Sequence, residues 1–233
     1  MASKRFARYI APLAFTALLF LSACKDDPVA PASTPMTGMW QLVSANGTDA
    51  TMLDAIWNFT QNQVVLNQGY DDCTSRYTYT TSGSKLIITV VSDECNETSP
   101  GDKDTINYSI TGETMTLTNS QGTLVMKKVS AAVQSLMGTW DVETVDGNGP
   151  TGGTQMTFTF GGVMMKHRVT NGTQGCGTDF VYTTNGSTMA IRATDDTCGE
   201  IEVGATDAIT YSIAGNKLTM NFSDGTKIVS KKR

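Results

Sequence analysis

The chain has one histidine in 233 residues, no Cys-x-x-Cys pair and no apolar run long enough to cross a membrane. The longest such run, Ile10 to Leu21, has 12 residues, against the roughly 20 that a hydrocarbon core requires. Basic residues are scarce too: 17 Lys plus Arg stand against 22 Asp plus Glu, a formal net charge of -5. That balance offers little counterion release from a phosphate backbone, so nucleic acid is not an expected partner. Helical periodicity is also missing, and only Ser130 to Leu136 would tolerate a short helix or turn.

What is present begins with an address. Lys4, Arg5 and Arg8 precede the apolar run, which ends in Leu21-Ser22-Ala23-Cys24, the order of a signal peptide. The last four residues resemble the lipobox of bacterial lipoproteins. The resemblance implies a signal peptide of residues 1–23, cleavage before Cys24, a diacylglycerol on the Cys24 thiol and an acylated new amine. Two or three acyl chains anchor stably where one does not. Loss of the three basic residues takes the net charge from -5 to -8. Lys25, Asp26 and Asp27 resemble a tag that sends some Gram-negative lipoproteins to the outer face of the outer membrane. The expected location is therefore the outer membrane, with cell-surface display preferred to the periplasmic face. Residues 24–37, with Pro28, Pro31 and Pro35, form an extended tether reaching up to roughly 40 Å from the bilayer.

The rest is one domain written twice. Gly38-Met39-Trp40 matches Gly138-Thr139-Trp140 at an offset of 100 residues, and further on the offset is 103. There Cys73 and Cys95 fall on Cys176 and Cys198, Tyr79 on Tyr182, and Tyr108 on Tyr211. Two copies are too few for a solenoid, so each must fold by itself. Within a unit the period is two, as in Ile106-Asn107-Tyr108-Ser109-Ile110, which reads as half-buried strand. Eight strands per unit are expected, near 38–45, 54–60, 63–68, 75–81, 84–92, 104–111, 113–118 and 123–128 in the first. The divisions are 38–129 and 138–233, with 130–137 as linker. Asn185-Gly186, with counterpart Ser82-Gly83, reads as a two-residue hairpin turn. That turn sets Tyr79 opposite Leu86, Tyr77 opposite Ile88, Tyr182 opposite Met189 and Phe180 opposite Ile191, each an aromatic residue against an apolar one.

Four cysteines remain after Cys24 and could pair in three ways. The repeated spacing and the hairpin favour Cys73 with Cys95 and Cys176 with Cys198. Each partner lies three residues past the ideal register, a gap that a bulge or loop would close. An exported protein meets an oxidising compartment. Metal ligation by these cysteines is disfavoured by their spacing and by the absence of histidine from the first unit.

Eight short antiparallel strands opening with Gly-x-Trp resemble the lipocalin family, especially the compact lipocalin-like domains of bacterial lipoproteins. The resemblance implies two tandem all-β, eight-stranded antiparallel barrels. In each, the Trp (Trp40, Trp140) plugs one end beneath a basic residue of the last strand, for which Lys128 and Lys231 are the candidates. The expected interior is lined by Trp57, Phe59, Tyr77, Tyr79 and Tyr108 in the first unit, and by Phe158, Phe160, Met164, Phe180, Tyr182 and Tyr211 in the second. Such a barrel either fills its interior or holds one small ligand, and a filled or nearly filled core is the favoured expectation at this size.

No catalytic residue is assigned. His167 beside Met164 and Met165 could suggest a soft metal, but an activity common to both units cannot need a histidine, and no metal is expected. Asp71, Asp72, Asp93 and Glu94, with Asp195, Asp196 and Glu200 in the second unit, read as a solvated acidic rim; Ca²⁺ binding and acid-base hydrolysis are the rivals. The expectation is a non-enzymatic, membrane-anchored binding lipoprotein with no cofactor beyond the lipid on Cys24. It captures a small hydrophobic ligand or an extracellular protein or glycan. The alternative is an envelope structural or interaction protein with filled barrels.

Overall fold

The computed structural model of the chain describes residues 36–69 and 73–233. The signal peptide, Cys24, the Lys25-Asp26-Asp27 tag, and Asp71 and Asp72 lie outside them. The alternating segments pair into antiparallel ladders in two units that divide between Lys128 and Val129. In the first unit β1 (Gly38–Ala45) is followed by a stub, β2 (Thr48–Asp49), then β3 (Ala55–Phe59), β4 (Gln63–Gln68), β5 (Cys73–Ser82), β6 (Lys85–Asp93), β7 (Lys103–Thr111), β8 (Thr114–Asn119) and β9 (Gly122–Lys128). The strands neighbour one another in order, and β1 also pairs with β9, closing an eight-stranded barrel that carries the stub.

The second unit opens with α1 (Ala131–Leu136), capped by the Ser130 hydroxyl, which accepts from the Val133 N–H. Its strands are β10 (Gly138–Val145), β11 (Thr154–Phe160), β12 (Met164–Asn171), β13 (Gln174–Asn185), β14 (Thr188–Asp196), β15 (Thr206–Ala214), β16 (Lys217–Asn221) and β17 (Lys227–Lys232). They too form a closed barrel. Closure removes the unpaired edges that would otherwise template aggregation.

Inward positions of each barrel are apolar because strand side chains alternate. Trp40 and Trp140 are fully buried, and each indole N–H donates to a carbonyl four residues upstream, Met36 at 2.7 Å and Leu136 at 2.6 Å. The glycines two residues before them have φ of 121° and 109°. A Cβ on either would stand 3.4 Å from the Cε of the lysine lying across the indole. The Gly-x-Trp motif thus supplies the plug, its backbone turn and room for a cation.

The cation in the first barrel is Lys128, 5.6 Å from the Trp40 ring centroid. In the second it is Lys232, 5.0 Å from Trp140, and not Lys231. The last hairpin explains the correction. Thr118 pairs with Thr123 across four residues, whereas its counterpart Asn221 pairs with Lys227 across five. This single insertion moves the final strand to an offset of 104, so Lys231 pairs with Asp141 and is exposed.

The central hairpin also differs from its expected register. Ser82 pairs with Lys85 and Asn185 with Thr188, which places Gly83-Ser84 and Gly186-Ser187 at the turn. Glycine therefore holds the first central position, with φ of 58° and 60°, as in a type II′ turn. A shift of two residues preserves the facing of every side chain. Tyr79 meets Ile88, Tyr77 meets Val90, Tyr182 meets Ile191 and Phe180 meets Ala193. A bulge between Arg76 and Tyr77, matched between Asp179 and Phe180, adds one more residue. Two from the turn and one from the bulge make the missing three. Cys73 and Cys95 are bonded with Cα atoms 5.3 Å apart, and Cys176 and Cys198 with 5.0 Å.

Of the expected interior residues, Trp57, Phe59, Tyr77, Phe158, Phe160, Phe180, Tyr182 and Tyr211 are buried in the two cores, with Tyr79 and Tyr108 partly buried against the first. Met164 is the exception. Phe160 pairs with Met165, which Phe180 meets from the other side, so Met165 shares their inward face and Met164 points away from it.

Candidate functional site

The Trp plug, Phe59 and the β5–β6 turn lie toward one end of the first barrel; the other end is its mouth. Strand alternation carries side chains toward that mouth in steps of two: Ile106 then Asp104 on β7, and Leu117 then Asn119 on β8. With Trp57, Tyr77, Ile88 and Leu124 as walls, and Asn46 and Gln121 at the rim, they enclose a cavity of about 30 Å³. That is room for about two or three water molecules, so the interior is nearly filled. Trp57 and Tyr77 are almost parallel, at 4° with centroids 6.2 Å apart.

The rim is held by its own hydrogen bonds. The Asn119 amide donates to Asp104 Oδ2 at 3.0 Å, and the Thr123 N–H donates to Asn46 Oδ1 at 2.7 Å. Asp104 is the only charged residue lining the cavity among the described residues. None of Asn46, Asp104, Asn119 and Gln121 was read as a site residue from the sequence. The signal was the period of two continuing past Ile106 and Leu117, masked because Asn and Asp at strand ends read as turn formers.

The second barrel treats the same place differently. Register puts Phe222 where Asn119 stands, and Phe222 packs against the core. Trp57 becomes Phe158, Leu66 becomes His167 and Ser75 becomes Thr178. His167 stacks on Phe158 at 4.7 Å, and its Nε2 is buried without a hydrogen-bond partner. Burial foremost, and the Arg168 charge next, lower its pKa, while Asp196 opposes them.

The acidic residues beside the disulfides serve the loops. Asp93 accepts from the Ser75 hydroxyl at 2.6 Å, the Thr98 hydroxyl at 2.8 Å, and the N–H groups of Cys95, Glu97 and Thr98 at 3.0, 2.9 and 2.7 Å. Burial alone would raise its carboxyl, but the donors from Ser75, Thr98 and Glu97 outweigh it and hold the group below its ordinary value. Asp196 repeats the arrangement with Thr178, Cys198, Glu200 and Ile201, and the Ile201 N–H contributes most to lowering its pKa. Glu94, Asp195 and Glu200 are exposed. Both carboxylates are thus engaged in closing the disulfide loops, and no group of three or more metal-ligating His, Cys, Asp or Glu residues occurs among the described residues.

The family model described as a lipocalin-like domain matches residues 36–132 and again 136–232. No curated protein matches. Among solved structures, a lipocalin-like protein from Bacteroides uniformis ATCC 8492 is similar at 19% identity, covering 40% of this chain and 97% of that chain, with a TM-score of 0.34. With two matches that together take in most of its length, the chain belongs to the lipocalin-like family, whose fold is a scaffold for binding.

Proposed function

We propose that the protein is a non-enzymatic binding lipoprotein, anchored through a lipid on Cys24 in a bacterial outer membrane, that captures a small ligand at the mouth of its first barrel. The observation that carries this reading is the cavity walled by Trp57, Tyr77, Ile106 and Leu117 and rimmed by Asn46, Asp104 and Asn119. An apolar wall with a few convergent polar groups is the usual make-up of a small-molecule seat. Anchoring rests on the Leu21-Ser22-Ala23-Cys24 segment and display on Lys25-Asp26-Asp27. The second barrel, with Phe222 packed at the corresponding place, acts through its outer surface as a structural or interaction module. Engagement of Asp93 and Asp196 by their own loops weighs against a hydrolase using them.

Native mass spectrometry of the exported Cys24→Ser chain tests the seat. A reproducible adduct present in the native spectrum only, and lost in Asn119→Phe, is expected. An adduct that Asn119→Phe leaves untouched would move the seat elsewhere. Anchoring is tested by fractionation: Cys24→Ser protein should leave the membrane fraction, and a variant that stays there refutes it.

A further inference from the structure

Resting on the reading of the first barrel's mouth as a ligand seat, we propose that the ligand presents a small organic cation, a methylated ammonium group. Three features point there. Size comes first: about 30 Å³ admits one face of a compact group and not a lipid tail or a fused ring system, since one water already needs roughly 10 to 15 Å³. The methyl groups would enter the cavity while the charge stays at the rim. The wall comes second. Trp57 and Tyr77 both line the cavity, and indole and phenol rings attract methylated ammonium ions through their quadrupoles.

Charge is the third feature. Asp104 is the one charged lining residue among those described, and its rim neighbours Asn46, Asn119 and Gln121 are neutral amides. A carboxylate-bearing guest would meet Asp104 with like charge and no compensating base, whereas an ammonium would be attracted. Tyr77 senses similar surroundings. Burial chiefly, with the Asp93 and Glu97 carboxylates adding to it against a hydrogen bond with Ser75, pushes its phenol up to about 12, so the ring stays neutral. The second barrel retains a carboxylate at the equivalent place, Asp207, but replaces Asn119 with Phe222 and Trp57 with Phe158. The proposal therefore assigns the ammonium seat to the first barrel alone.

The test uses the intact chain in a non-ionic detergent, titrated with choline, with its neutral isostere 3,3-dimethylbutan-1-ol and with pivalate. Tryptophan emission reports occupancy, because Trp57 lines the cavity while Trp40 and Trp140 are fully buried plugs. Choline should change the emission saturably, the isostere should bind at least tenfold more weakly and pivalate should not bind. Asp104→Asn should weaken choline at least tenfold and Asn119→Phe should abolish the response, with melting temperatures checking that both variants fold. Phosphocholine separates two sources of the same group: affinity equal to that of choline assigns a lipid headgroup, and its loss assigns a free ammonium compound. If the isostere binds as well as choline, or Asp104→Asn changes nothing, the cationic class is wrong while the seat stands. If neither choline nor the isostere perturbs the emission, both the class and the seat fail.

Discussion

Replacing Cys73 and Cys95 together by alanine should lower the melting temperature of the first barrel by about 12 to 24 °C and leave the second unmoved. The bond spans 22 residues of sequence, and removing a loop constraint of that length restores to the unfolded chain entropy worth about 3 kcal/mol at 25 °C. A unit of fewer than 100 residues shifts by about 4 to 8 °C for each kcal/mol. Alanine also deletes the sulfur that accepts weakly from Gln68 and Ser75, which adds to the loss. Differential scanning calorimetry under non-oxidising and non-reducing conditions is the assay. The Cys176→Ala, Cys198→Ala pair, with the same separation of 22, should move the other transition by a similar amount and so assign each one. A shift below about 4 °C in the first variant would refute the loop-entropy argument. It would mean that the five hydrogen bonds to Asp93 hold the loop unaided. Equal movement of both transitions by one variant would refute the independence of the two cores.

Other perturbations separate the remaining claims. Lys232→Met should cost the second barrel about 0.5 to 1 kcal/mol while Lys231→Met is silent, read from thermal melts; the opposite order would put Lys231 over the indole instead. Gly38→Ala should destabilise the first barrel by about 1 to 3 kcal/mol in a denaturant titration, because φ is 121° there, and an unchanged midpoint would contradict that backbone. The barrels should also differ in acid. His167 titrates near 6.5 when unfolded and lower when folded, so the unfolded chain takes up the proton first, and second-barrel stability falls as pH drops below about 6.5. His167→Leu, which copies Leu66, should remove that step, and a wild-type melting temperature flat from pH 7 to 5 would disprove it. Asp93 is held below the ordinary carboxylate value, so its contribution is present at pH values above about 4 and is lost as pH falls through the folded pKa. Asp93→Asn should make the first barrel's melting temperature less dependent on pH in that range.

The strands were legible because alternation is local: Thr114-Met115-Thr116-Leu117-Thr118 declares its faces without reference to a partner. The disulfides were legible because the repeat doubled a weak spacing signal. What escaped depended on pairing. The bulge in β6 pushes Val91 outward, to 53% exposure, and so reverses the facing of the residues after it. Asp93 is thereby turned to the side of Ser75, where strict alternation from Ile88 and Val90 would have placed Ser92. One loop residue between Asn221 and Lys227 likewise decided which lysine covers Trp140. The mouth residues were hidden for a chemical reason, since Asn and Asp suit both a turn and a polar rim.

The exchange of Asn119 for Phe222 gives the molecule an internal control. Heat, salt or denaturant acts on the shared architecture of both barrels, whereas an agent that works through an open mouth can act only on the first. A response to an added molecule at fixed pH that is confined to the first copy is thus specific by construction, and the blank is expressed, purified and stored in the same tube as the sample.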